Sequence, residues 1–297
     1  MNQVVDNNNF SWKKILTFLG LTFLLTSLFD VPSVLLNPSG EKALMLFVTA
    51  AMWCPAIATF QTKRIFRESI KDLGWKWGKE TNKYILWAFL LPIAVNLITF
   101  TIFWTSEWSK FFNAEFVKET GAAFGIQSLP SGWIIFIYVV FIGIFGLVGT
   151  ASRALGEEIG WRGFLVPELY KRYGYIRTSI IAGIIWASWH YTVMIWGYFK
   201  TGEPVWFVLT DYTIQVVAFS FIFTWLTIKS KSLFPAVILH GTMNLYNQQI
   251  FTPLTEINPE NPWFVRDEST ILTFVLILFA LYFILRRKEL TTSSGNS

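Results

Sequence analysis

Apolar stretches long enough to cross a bilayer recur along this sequence, and they constrain the fold more than any other feature. A helix needs about 20 apolar residues to span the hydrocarbon core, where only helices and closed barrels satisfy their own backbone. We therefore predict an all-α, polytopic membrane protein with about eight transmembrane helices. The predicted spans are residues 15–36, 43–61, 84–105, 133–150, 176–196, 205–228, 233–251 and 270–285.

The charged residues predict the orientation of these spans. Only 14% of the residues are charged, too few to cover a soluble surface. Nineteen of the 24 Lys and Arg fall between alternate spans, on the side that also carries both termini. The positive-inside rule then predicts a multi-pass protein of the cell membrane with cytoplasmic termini. Because topology explains the net charge of +5, we expect no nucleic-acid partner. The Asn- and Lys-rich soluble parts suit a bacterial plasma membrane.

The chain is predicted to form a single transmembrane domain over residues 1–297. Its functional core is expected at about 133–251, and short disordered tails at 1–9 and 291–297. The segment 106–132 mixes charge with glycine and proline, which predicts a lid or a surface helix outside the membrane.

Two histidines and an asparagine lie within predicted spans, where polar groups are costly and usually functional. His240 and Asn244 are four residues apart, so they share one helix face and can address one small volume. His190 lies in a separate span. The alternatives are a packed, hydrogen-bonded histidine and an asparagine that joins two helices.

The stretch GEEIGWRGFL adds two adjacent carboxylates. Neighbouring residues on a helix point about 100° apart, so Glu157 and Glu158 face different partners. Arg162 follows Glu158 by four residues, in the favourable order for an ion pair, which leaves Glu157 free. Arg153, four residues before Glu157, is a candidate partner for the carboxylate of Glu157. The alternative is a solvated charge cluster where the fourth span leaves the membrane.

Three motifs together resemble those of the CPBP family of intramembrane proteases, also called the Abi family. They are Glu157-Glu158-x-x-x-Arg162, Trp186-x-x-x-His190 and His240-x-x-x-Asn244, in the family's order and spacing. The family includes the Ras-converting CAAX endopeptidase and enzymes of bacteriocin processing or self-immunity. It usually has Phe where this chain has Trp186, which we interpret as a change in pocket shape and not in chemistry.

The resemblance implies an active site within the helix bundle. It implies an intramembrane endopeptidase that cleaves a membrane-associated or lipidated protein or peptide. Glu157 and His190 are then expected to activate a water, and His240 and Asn244 to hold the oxyanion of the tetrahedral intermediate. Glu158 and Arg162 are expected to support the motif helix. The expected partners are that substrate and the lipid bilayer.

The sequence leaves the need for a metal open. Glu157, His190 and His240 make a plausible zinc set, with water as the fourth ligand. Against zinc, the histidines lack the i,i+4 pairing of HExxH, and asparagine is a poor zinc ligand but a good oxyanion donor. We favour a glutamate-type mechanism.

Two other functions are compatible with these residues. A proton-coupled transporter could use Asp211 and Gln215 of the sixth span to line a path, although no internal repeat is evident. A non-catalytic membrane scaffold or regulator could retain the same fold.

Overall fold

The computed structural model describes residues 10–36, 41–106, 109–196, 204–257 and 269–290, which form helices and one two-stranded sheet. The predicted tails at 1–9 and 291–297 lie outside the described residues. The helices are α1 (Trp12–Leu36), α2 (Glu41–Ile65), α3 (Lys79–Thr105), α4 (Ala114–Ala123), α5 (Ser131–Phe141), α6 (Leu147–Gly160), α7 (Val166–Trp196), α8 (Val205–Ser230), α9 (Phe234–Asn244) and α10 (Thr270–Leu285). Short 3₁₀ turns cover Ile70–Asp72 and Arg286–Leu290, and π-helical turns cover Ile142–Gly146, Trp161–Leu165 and Leu245–Phe251.

The all-α polytopic architecture is confirmed. Each of the eight predicted spans overlaps a helix. Within the described part of the chain, 6 helical stretches are long and apolar enough to cross a membrane. One of them, Ser131–Trp196, holds both the fourth and the fifth predicted spans. It is divided at Gly174, whose φ of 64° is open to glycine but strained for other residues.

The helix that carries the two glutamates extends further than predicted. The fourth span was expected to end at residue 150, but the helix continues through α6 into the π-turn Trp161–Leu165. The side chains of Glu157, Glu158 and Arg162 are all buried. The alternative of a solvated interfacial cluster is therefore wrong. Buried partners replace water around these charges.

Two glycines on this bundle allow unusually close helix packing. A Cβ on Gly156 would lie 2.6 Å from the carbonyl oxygen of Met52 on α2. A Cβ on Gly241 would lie 2.8 Å from Cα of Ala151 on α6. Small residues let membrane helices approach backbone to backbone. As a result α2 and α9 both press against α6, which brings the third motif next to the first.

One end of the bundle is held by charged groups that we call the Glu68 cluster. Glu68 accepts from Lys14 Nζ at 2.6 Å and from Lys63 Nζ at 3.0 Å. Glu168 lies 3.6 Å from the same Lys14 and 2.5 Å from Lys171. The cluster joins the start of α1, the end of α2 and the first part of α7.

The segment 106–132 forms structure on the opposite end. It contains α4, in agreement with the predicted surface helix, and the strand β1 (Ser109–Phe111). This strand pairs antiparallel with β2 (Thr255–Ile257), with Lys110 opposite Glu256. The sheet was not predicted, because its two strands are short and far apart in sequence.

Candidate active site

The four predicted catalytic side chains line one cavity of about 540 Å³ inside the bundle. Glu157 comes from α6, His190 from α7, and His240 and Asn244 from α9. The helix geometry changes at two of the motifs, since a π-turn that contains Arg162 follows Gly160 and another follows Asn244. Such turns are frequent at functional sites.

Glu157 is held by two indole groups. Trp186 Nε1 donates to Glu157 Oε2 at 2.8 Å, and Trp161 Nε1 donates to the same oxygen at 3.2 Å. The interpretation of Trp186 as a change in pocket shape alone is therefore wrong. A phenylalanine has no N–H, so this residue adds a hydrogen bond to the carboxylate.

Glu158 makes the predicted ion pair and a second contact that was not predicted. Arg162 Nη1 lies 2.9 Å from Glu158 Oε1, and His240 Nδ1 lies 2.8 Å from the same oxygen. Since a carboxylate accepts, Nδ1 of His240 carries the proton, and Nε2 is the nitrogen left for the cavity. Glu158 therefore orients a residue of the third motif as well as supporting its own helix.

Arg162 connects the charged pair to aromatic rings. Its guanidinium carbon lies 4.1 Å from the centre of the Trp186 ring and 3.7 Å from that of Phe223. Arginine stacks well on aromatic faces. One face of Trp186 thus contacts the arginine, while its N–H points to Glu157. These two contacts together fix the position of the indole.

His190 is oriented by its own helix. Its Nδ1 lies 2.9 Å from the carbonyl oxygen of Trp186, which can only accept a hydrogen bond. Nδ1 is therefore the donor, and Nε2 has the lone pair in the neutral ring. The imidazole also packs edge-on against the rings of Trp189 and Tyr212, with centroids 4.7 Å and 5.3 Å away.

The structure distinguishes two asparagines that lie one turn apart. Asn247 Nδ2 donates to Asn96 Oδ1 on α3 at 3.0 Å, which is the helix-joining role considered for Asn244. Asn244 itself has no hydrogen bond to another described side chain and lines the cavity. Its amide is therefore available to a ligand.

The other candidate residues have different surroundings. Arg153 lines the cavity but forms no ion pair with Glu157 among the described residues. Asp211 and Gln215 both accept from Thr273 Oγ1 of α10, at 3.3 Å and 3.5 Å, so they join α8 to α10. Asp30 of α1 also lines the cavity and was missed. The sequence signal that could have identified Asp30 is a carboxylate inside the first apolar span.

The proposed zinc ligands are not arranged as a metal site. Within the described ranges, no three His, Cys, Asp or Glu side chains are placed to hold a metal ion together. Nδ1 of His190 and Nδ1 of His240 each donate to the protein, which leaves Nε2 of each ring as it would be in a metal ligand, so the spacing of the side chains and not the state of the rings argues against the metal. The residues of this cavity therefore do not fit the His₂Glu set.

All three motifs lie in a segment that matches a known protein family. Residues 144–246 match the family model described as type II CAAX prenyl endopeptidase Rce1-like. The CAAX prenyl protease 2 of Methanococcus maripaludis is 30% identical over 139 residues, which cover 45% of this chain and 46% of the relative. The match thus spans about half the length of this curated relative. The two findings confirm the resemblance to the CPBP family.

Proposed function

From the type II CAAX prenyl endopeptidase segment at residues 144–246, we propose that this protein is an intramembrane endopeptidase. Its substrate is a membrane-associated protein or peptide with a prenylated C-terminal tail. The observation that carries the proposal is the convergence of Glu157, His190, His240 and Asn244 on one cavity. Hydrolysis needs a base for water and donors for the oxyanion, and this set supplies both.

Glu157 and His190 activate the water. The hydrogen bonds to Glu157 from described residues all reach Oε2, which leaves Oε1 for a water in the cavity. The lone pair of His190 Nε2 offers a second acceptor for the same molecule. The two indole donors fix the carboxylate before substrate arrives, so little reorganisation is needed during the reaction.

His240 and Asn244 stabilise the oxyanion. They lie one helical turn apart, so Nε2 of the histidine and Nδ2 of the asparagine can address one oxygen. For Nε2 to donate while Nδ1 donates to Glu158, the ring carries two protons. Glu158 faces both that imidazolium and Arg162, and the carboxylate of Glu157 in the same cavity supplies the second negative charge.

The active site lies near the middle of the membrane, and both termini are cytoplasmic. The Glu68 cluster marks the cytoplasmic end, because it gathers basic residues of α1, α2 and α7. Glu157 precedes Glu168 by eleven residues, which is about 16 Å along a helix. Since the hydrocarbon core is about 30 Å thick, the catalytic carboxylate is about half-way across.

The test compares the intact protein with Glu157→Gln in lipid nanodiscs. A farnesylated C-a-a-X peptide is the substrate, and mass spectrometry identifies the products. The unaltered protein should release a C-terminal fragment, and Glu157→Gln should release none while keeping its melting temperature. The matched control is Glu80→Gln, because Glu80 is an exposed carboxylate outside the cavity. Equal product from Glu157→Gln and the unaltered protein would refute the proposal.

A further inference from the structure

Among the described residues that line the active-site cavity is a cation that the hydrolysis does not use. Arg153 is half-buried, lines the cavity and precedes Glu157 by four residues, one turn along α6. The amide side chains of Gln248 and Gln249 line the same cavity. Partly burying a guanidinium in a membrane bundle is costly, which favours a functional role.

Three of the buried cations in the bundle are paired with carboxylates, but Arg153 is not. Arg162 pairs with Glu158, and Lys14 and Lys63 pair with Glu68. Arg153 has no ion pair to any residue of the described ranges. Its positive charge is therefore available to an anion that enters the cavity.

The guanidinium of Arg153 lies beside Gly149. A Cβ on Gly149 would lie 4.0 Å from Arg153 Nη1, so the side chain extends along its own helix away from Glu157. Gly149 precedes Glu157 by eight residues, which is about 12 Å along the helix axis. The guanidinium thus lies level with Gly149, about two helical turns along the axis from the backbone of the catalytic glutamate.

We infer that Arg153 binds the C-terminal carboxylate of the substrate, an inference that rests on the proposed function. An extended chain advances about 3.3–3.6 Å per residue, so 12 Å corresponds to about three residues beyond the cleaved bond. A C-a-a-X tail has three residues after its prenylated cysteine. Arginine can hold a carboxylate through two parallel hydrogen bonds. Arg153 therefore selects chain ends over internal peptide bonds and sets the length of the released fragment.

Asp30 favours this placement. It is a further acidic residue on the cavity wall besides Glu157, and it belongs to α1. Its carboxyl group offers no attraction to a second carboxylate, whereas Arg153 does. The end of the tail is thus directed along α6.

The experiment compares two farnesylated C-a-a-X peptides that differ only in a free C-terminal carboxylate or a C-terminal amide. For the unaltered protein, kcat/KM should be about 10- to 100-fold higher for the carboxylate, mainly through a lower KM, as expected for a charge-assisted hydrogen bond. In Arg153→Met this preference should fall to about 1. Arg153→Lys should keep part of it, since lysine supplies the charge without the bidentate geometry.

Lys118→Met is the matched control, because Lys118 is an exposed cation on α4 outside the cavity. It should keep the full preference for the carboxylate. Equal cleavage of both peptides by the unaltered protein overturns the inference, as does a preference that survives in folded Arg153→Met.

A binding measurement separates this inference from the proposed function. Fluorescently labelled versions of both peptides are titrated into Glu157→Gln. If the unaltered protein cleaves neither peptide, the proposed reaction is wrong, and binding alone decides the role of Arg153. Tighter binding of the carboxylate peptide supports the site, and equal binding of the two peptides overturns it.

Discussion

His240 Nδ1 lies 2.8 Å from Glu158 Oε1, so a single buried carboxylate oxygen binds both the histidine of the third motif and Arg162 of the first. The two residues are 82 positions apart in the chain. Glu158 on α6 therefore orients the ring of His240, which we propose as a donor to the oxyanion.

Because Glu158 contacts both Arg162 and His240, its substitution should affect stability and activity separately. Glu158→Gln leaves the charge of Arg162 uncompensated in the core, and breaking such a buried pair costs about 3–5 kcal/mol. The double variant Glu158→Gln with Arg162→Met removes both charges and should recover the melting temperature in detergent. Its turnover should stay low, because His240 still lacks the carboxylate. Recovery of turnover together with stability would contradict the role given to the His240 contact.

Substitutions of Asn244 and Asn247, which lie one helical turn apart, should change different properties: turnover for Asn244 and thermal stability for Asn247. Asn244→Ala removes the proposed oxyanion donor and should lower kcat by about 10²–10³ with an unchanged melting temperature. Asn247→Ala is the matched control and removes a buried hydrogen bond to Asn96, so it should lower the melting temperature. Both quantities are measured on the same purified samples. Near-normal turnover of Asn244→Ala would remove that residue from the site.

Trp186→Phe should lower turnover while the protein stays folded. The indole N–H donates to Glu157 Oε2, and phenylalanine cannot donate. Glu157 then loses the shorter of its two described hydrogen bonds and is held less firmly, so kcat should fall by about 10-fold. The matched variant Trp161→Phe removes the longer hydrogen bond and should lower kcat less. An unchanged kcat in Trp186→Phe would leave the indole with a packing role only.

The Glu68 cluster predicts a loss of stability in acid. Burial raises the pKa of Glu68, but the hydrogen bonds and charges of Lys14 and Lys63 outweigh it and hold that pKa below its ordinary value of 4.5. A lowered pKa means that the stabilisation is complete above the unfolded value and disappears as pH falls through the folded value.

The melting temperature should therefore fall between about pH 5 and the lowered pKa of Glu68. Glu68→Gln should be less stable at neutral pH, by about 1 kcal/mol, and show a flatter profile in this window. Glu80→Gln serves as the control, since Glu80 is 93% exposed. Profiles of the same shape for Glu68→Gln and the unaltered protein would show that other carboxylates govern acid stability.

Several features of the fold and site follow from the sequence because they depend on local spacing. The length of each apolar stretch predicted a helix at each of eight places, and the structure has one at each. The i,i+4 spacing predicted the ion pair of Glu158 with Arg162, and it placed His240 and Asn244 on one face. A helix has a fixed rise and turn, so contacts within it can be read from residue numbers alone.

Contacts between helices could not be read in this way. Arg153 was considered as a partner of Glu157, but the structure gives that carboxylate the indoles of Trp161 and Trp186 instead. The choice of Asn247 over Asn244 for joining helices also depends on the face that α3 covers.

A helical membrane protein and the helix faces of its motifs follow from the order of residues alone, because hydrophobic length and helical periodicity are properties of short segments. The contacts of Glu158 with His240 and of Trp186 with Glu157 became visible only in the folded protein. Those partners depend on how closely α6 and α9 approach at Gly241 and Ala151, and on the rotation of each helix about its axis. Helix periodicity fixes neither quantity, since both follow from the packing of whole helices against one another.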